Sequence, residues 1–200
     1  MDLPEFGRRG AARRRVRAQA EFAAQRGARA GQQEVIEDGT LLVEANRIVA
    51  VGRSDEVAVP AQALRIDARG KTVIPGLVDV HWHGPMGEGG ILPQQSWIDY
   101  ASLAFGVTTL HDPSNDTAMT FTRAEMQRAG LVVAPRIFST GHLMEWKRTY
   151  YKMGTAISSN SHLMRELERA HILGFDLFKS YVRMPDIQQK MIVDYAHSVG

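Results

Sequence analysis

No cysteine occurs among the 200 residues, which excludes a disulfide framework and every zinc site built on thiolates. No apolar run approaches the ~20 residues that a helix needs to cross a bilayer, so no membrane partner is expected. The first residues lack the apolar centre of a secretory signal peptide, which removes a secretory reading and favours a cytoplasmic location. Neither G-x-G-x-x-G nor G-x-x-x-x-G-K-[ST] is present, and a doubly wound nucleotide-binding protein is disfavoured on that ground. A basic fold is lacking too, although the formal net charge is +2. Residues 1–33 hold eight Arg against Asp2, Glu5 and Glu21, whereas from residue 34 onward 16 basic side chains face 19 acidic ones. The positive charge therefore sits in the tail, and nucleic acid is not an expected partner of the fold.

What is present suits one globular domain or part of a larger one: the apolar fraction is 44%, enough to bury a core. Residues 1–33 read as an Arg- and Ala-rich leader, disordered or weakly helical. An abrupt change of composition near Gly31 also raises the question of a mis-assigned start. Residues 34–74 read as a small β-unit, with strand cores at Leu41–Val43, Ile48–Val51 and Ala63–Asp67. Turns are expected at Asp38-Gly39 and Ala45-Asn46.

From residue 75 to 200 the pattern becomes strand, loop, helix, repeated. Strands are expected at Leu77–His83, Val107–Leu110, Leu131–Ser139 and Phe175–Ser180. Helices are expected at Ser96–Phe105, Thr120–Ala129, Ser161–Leu173 and Pro185–Val199, the first three stopped by Gly106, Gly130 and Gly174. Alternating β and α elements with short connections imply an α/β fold with a parallel sheet, either barrel or doubly wound.

The stretch Lys71–Gly84, KTVIPGLVDVHWHG, carries the chemical signal. In an extended strand Leu77, Asp79, His81 and His83 share one face, and Val80 and Trp82 the other. Two imidazoles at a strand end can reach one metal ion. Lys179 ends the last expected strand, and parallel strands end on one side, so the three side chains would converge. A bare H-x-H is a weak signal, and its weight comes from this context. His111 closes the second strand, and His142 follows the third. His162, His171 and His197 fall on expected helices and read as surface or packing residues.

VIPGLVDVHWHG closely resembles the first barrel strand of the amidohydrolase superfamily, whose signature is PG(L/F)(I/V)DxHxH. GTLLVEANRIVAVG and IDARGKTVIPG resemble the small β-sandwich that accompanies many of these barrels. FGVTTLHD resembles the second strand, and GFDLFKSYV the fourth strand of members with a metal-bridging lysine. The resemblance covers residues 34–200 and is strongest for imidazolonepropionase-like and prolidase-like members. It implies the first half of a (β/α)8 TIM-type barrel preceded by a small β-sandwich unit.

The resemblance also implies a metal-dependent hydrolase of C–N bonds acting on a small amide or peptide-like substrate. The metal ligands would be His81, His83 and Lys179. A free ammonium repels a cation, but a neutral amine can capture carbon dioxide, and the resulting carbamate can bridge two ions. Zinc is favoured, while manganese, iron and nickel suit the same donors. His111 and His142 are candidate substrate contacts, although related enzymes more often carry Arg where His111 stands. Asp79 reads either as an orienting partner for a ligand imidazole or as a polar residue of the barrel interior. Tyr181 and Arg183 would line the pocket mouth, and Trp146-Lys147-Arg148 a lid.

In this family further histidines come from strands five and six, and the general-base aspartate from strand eight. The chain is accordingly expected to be a truncated form, inactive alone, with a homo-oligomer conceivable for the full-length protein. The competing reading is a non-catalytic fragment or pseudoenzyme that uses the fold for binding or assembly.

Overall fold

A computed structural model describes residues 17–26 and 34–200. They form two compact units, one ending at residue 75 and the other running from 76 to 200.

The first unit is a four-stranded sheet of order β3-β2-β1-β4. Its strands are β1 (Arg17–Arg26), β2 (Glu34–Glu44), β3 (Arg47–Arg53) and β4 (Leu64–Val73). β2 and β3 form a hairpin about Ala45 and Asn46, both at positive φ (47° and 61°). That is the backbone of a tight turn whose twist matches the flanking strands. The second expected turn, Asp38-Gly39, is instead a bulge inside β2. Asp38 has φ 53°, and the pairing with β1 slips between Phe22/Gly39 and Ala24/Ile36.

β1 corrects the expectation of a disordered or helical leader over residues 17–26; the leader's other residues, 1–16 and 27–33, lie outside the described residues. β1 pairs antiparallel with β2 and parallel with β4, and pairing on both edges overrides the helix preference of its alanines. Ile36 and Ala68, with Leu41, Val51 and Val73, form the small core. Among the described residues this unit has one sheet rather than two.

The second unit is α/β. β5 (Leu77–Asp79), β6 (Val107–Asp112) and β7 (Arg136–Ser139) form a parallel sheet in that order. Helices α1 (Trp97–Ala104) and α2 (Thr117–Arg128) are the crossovers. α2 starts where the Asp116 carboxylate accepts the Met119 N–H at 2.8 Å, as an N-cap should. Gly106, following α1, takes φ 85°, the left-handed conformation that ends a helix cheaply only at glycine. Leu110, Ile137, Ala124 and Met86 make the core here, with Trp82 packed against it.

The third strand is shorter than expected because Pro135 has no N–H and keeps the preceding residues out of the ladder. Two four-residue strands follow it, β8 (Leu143–Trp146) and β9 (Gly154–Ile157), paired in parallel where a long loop was expected. Neither is long enough for an alternation to register in the sequence.

The expected fourth strand, Phe175–Ser180, is reduced to one bridge. Met144 N–H donates to the Lys179 carbonyl and Tyr181 N–H donates to the Met144 carbonyl, both at 2.9 Å. Asp176 turns out of strand geometry because its carboxylate and its own N–H are engaged with the backbone of Ser139, at 2.8 and 3.1 Å. α3 (Asn160–Ile172) and α4 (Asp186–Val199) contribute Leu163, Leu167 and Ile192 to a second core with Met144, Ile157 and Met184. No helix among the described residues is long and apolar enough to cross a membrane.

Candidate functional site

β5 ends at Asp79, yet pairing persists: Trp82 N–H donates to the His111 carbonyl at 3.0 Å. This holds the bent segment 80–83 beside the end of β6. Trp82 packs against the core, while His81 and His83 are exposed. The two rings stand edge to face, centroids 4.9 Å apart. Gly84 lets the indole fold back over the chain, since a Cβ there would lie 2.0 Å from the Trp82 ring.

A cleft of about 690 Å³ opens above these strand ends. His81, His83 and Lys179 all line it, together with Asp116, Asn115 and Ser114 from the β6–α2 loop. Its apolar wall is made by Met86, Met119, Leu143 and Met153, and by the rings of Tyr151 and Tyr181. The structure therefore brings the three sequence-predicted metal ligands to one cavity.

Lys179 is half-buried, and burial pushes its ammonium below the usual lysine range, against the opposing pull of Asp112 and Tyr151. Among the described residues it forms no ion pair; its Nζ lies 5.0 Å from the centre of the Tyr181 ring. Tyr181 and Tyr151 meet edge to face at 5.5 Å, and their side-chain hydrogen bond pushes the Tyr181 phenol up.

Asp112, at the end of β6, is fully buried. Its Oδ1 accepts the Ser114 N–H at 3.1 Å and its Oδ2 the Asn115 amide at 2.7 Å. The His83 Nδ1 stands 3.5 Å from Oδ1. Burial raises the carboxyl above its ordinary range, and the Asn115, Ser114 and His83 contacts pull it back. Asp79 takes a different part, accepting the His81 backbone N–H at 3.1 Å.

The cleft lining does not include His111 or His142. The His111 Nδ1 bonds the Val80 carbonyl at 3.1 Å, which ties β6 to the segment carrying the histidines, and its Nε2 is buried without a partner among the described residues. The His142 Nε2 lies 3.9 Å from the Asp116 carboxylate, and its N–H donates to Thr117 Oγ1 at 3.0 Å. The loop after β8 reaches the cleft through Tyr151 and Met153 rather than through Trp146, Lys147 or Arg148. Arg183 sits outside, its guanidinium 4.5 Å from the Tyr150 ring centre.

Sequence reading missed Asp112 as a partner of His83. In strand alternation Asp112 is in phase with the core residue Leu110, so periodicity directs it away from the histidines. Only its place beside His111 at a strand end marked it. Asn115, Tyr151 and the methionines carried no signal beyond their type.

As a donor set, His81 and His83 fit a divalent ion. Both rings face one cavity, one is backed by a carboxylate, and the amine that shares the cleft is shifted toward its neutral form. Among the described residues no group of three or more His, Asp or Glu side chains gathers in metal-holding range.

No family profile matches the chain. It is 50% identical over 56 residues to a 5-methylthioadenosine/S-adenosylhomocysteine deaminase of Symbiobacterium thermophilum, covering 28% of this chain and 13% of the relative. It is 38% identical over 78 residues to an enamidase of Eubacterium barkeri, 38% of this chain and 20% of the relative. With an imidazolonepropionase of Geobacillus thermodenitrificans it shares 47% over 55 residues, 25% of this chain and 13% of the relative. Among solved structures, a prolidase complexed with N-methylphosphonate-L-proline superposes with TM-score 0.68 at 18% identity, over 92% of this chain and 54% of the other. Molinate hydrolase gives 0.64 at 20% identity, over 93% and 52%. The chain thus spans about half the length of the solved structures it resembles, and the matched stretches cover a fifth or less of the curated relatives.

Proposed function

We propose that this chain, which belongs to the amidohydrolase superfamily, is the first half of a (β/α)8 barrel with a small β-unit before it, from a metal-dependent hydrolase of C–N bonds. The observation that carries the reading is the meeting of His81, His83 and Lys179 in one cleft, with burial lowering the proton affinity of the amine.

In this reading His81 and His83 hold a divalent ion, zinc by preference, through one nitrogen each. When bound, such an ion polarises a substrate carbonyl and makes water a usable nucleophile near neutral pH. Lys179 contributes as a neutral amine. Its nitrogen bonds to the carbon of carbon dioxide, one proton leaves to solvent, and the product is an anionic carbamate with two oxygens able to serve two ions. The substrate is a small amide whose apolar part rests on Met86, Met119 and Met153, flexible thioether chains that accept varied shapes. Tyr151 and Tyr181 complete that wall. His142 acts on substrate only through Asp116, which does line the cleft, and His111 acts by holding the segment of His81.

The general base and further ligands come, in this proposal, from outside these 200 residues, and the 200-residue chain alone is inactive. The lack of a three-residue His/Asp/Glu cluster among the described residues favours a second reading, a non-catalytic chain that uses the fold for binding. A panel of C–N substrates assayed on the full-length protein, with and without chelator, separates the two. Chelator-sensitive hydrolysis, together with a labile carbamate seen by native mass spectrometry and lost in Lys179→Ala, is the expected result. No turnover on any amide by a fully metal-loaded protein would leave the second reading in place.

A further inference from the structure

His83 has two ring nitrogens, and only one of them can be offered to a ligand in the cleft. The other, Nδ1, lies 3.5 Å from Asp112 Oδ1. The carboxylate is not free to turn elsewhere. It is wholly buried, and each oxygen already accepts a fixed donor, the Ser114 N–H or the Asn115 amide. Asn115 is fixed in turn: its amide nitrogen also donates to the Gly84 carbonyl at 3.0 Å, and its oxygen accepts the Asp116 N–H at 2.8 Å. Gly84 directly follows His83, so one side chain ties the end of β6 both to the carboxylate and to the residue after the histidine. The Ser139 hydroxyl fastens the Asp112 carbonyl to β7 at 2.8 Å.

We propose that Asp112 is the positioning residue of His83: it accepts the hydrogen on Nδ1, fixes that tautomer, and leaves Nε2 as the electron-pair donor toward the cleft. The asymmetry of burial supports this, because the His83 side chain is 49% exposed while the Asp112 side chain is 0% exposed. A carboxylate on the far nitrogen sets the ring orientation and raises its basicity as a ligand. Asp79, the residue that alternation offers for this part, is committed to the His81 backbone. The ligand side of the proposal rests on the metal reading above, whereas the tautomer does not.

Long-range 1H–15N correlation spectra of the metal-free, 15N-labelled chain at neutral pH report the His83 tautomer directly. Hydrogen on Nδ1 is expected in the wild type, with redistribution toward Nε2 in Asp112→Asn. Zinc titrated calorimetrically should bind about 10- to 100-fold more weakly to Asp112→Asn. A wild-type His83 protonated on Nε2 would overturn the proposal, as would unchanged zinc affinity in a folded Asp112→Asn. Should that variant not fold, the wild-type spectrum decides alone. An Nδ1 hydrogen combined with no zinc uptake supports the positioning and counts against the metal reading.

Discussion

Asp99 and Asp112 are both buried aspartates of the same α/β unit, at 5% and 0% exposure, and they are neutralised in opposite ways. Asp99, on α1, meets the Arg123 guanidinium of α2, which is itself buried and donates its other arm to the Pro93 carbonyl. That set is closed on itself. Among the described residues Asp112 has only amide N–H donors and one imidazole, and the imidazole faces an open cleft. A buried charge that is saturated by buried partners joins two helices. One whose last partner reaches a cavity is placed where ligands and chemistry can act on it. Glu145 is a third case: its Oε2 accepts the Tyr150 N–H at 2.9 Å, while Oε1 is buried without a partner among the described residues.

Breaking the closed pair should have the largest effect on stability. Arg123→Met leaves Asp99 buried and unpaired, and about 3–5 kcal/mol should be lost in denaturant unfolding. Pairing it with Asp99→Leu should restore most of that, and zinc affinity should not follow either change. Next comes the open set. Asn115→Ala removes a donor from Asp112 and the tie to Gly84, and should cost about 1–3 kcal/mol while also weakening zinc binding. A purely structural Asn115 would move only the first of these readouts.

Glu145 should respond in the other direction. Burial raises its carboxyl above the ordinary glutamate value of 4.5, with a hydrogen bond from the Tyr151 backbone and then Arg183 opposing. The folded state therefore favours the protonated form. Its contribution is complete below about pH 4.5 and is lost as pH rises through the raised value. Glu145→Gln, which keeps the acceptor for Tyr150, should gain about 1 kcal/mol at pH 7. The difference from wild type should vanish in acid, which melts between pH 4 and pH 8 would reveal. The smallest effect belongs to the exposed pair Lys190–Asp194, 2.6 Å apart on α4: Lys190→Ala should cost no more than about 0.5 kcal/mol.

Much of the α/β unit was legible because it obeys local rules. Apolar spacing and glycine stops located α1 to α4 within a few residues. His81 and His83 were legible from their two-residue spacing, two and four residues past Asp79 and just beyond the end of β5. The illegible parts depend on distant partners. β1 is a strand because β2 and β4 flank it. Phe175–Ser180 fails as a strand because Asp176 is diverted to Ser139. Asp112 meets His83 only because β5 and β6 lie side by side, which no local pattern encodes. Arg123 and Asp99, 24 residues apart, read singly as ordinary charges of two helix surfaces.

The measurement that bears most directly on the central claim is the metal content of the purified protein beside its His81→Ala/His83→Ala double variant. Stoichiometric divalent metal in the wild type, lost from a double variant that keeps its fold, is the expected result. A wild type that binds no divalent metal, or a double variant that retains its full complement, would contradict it.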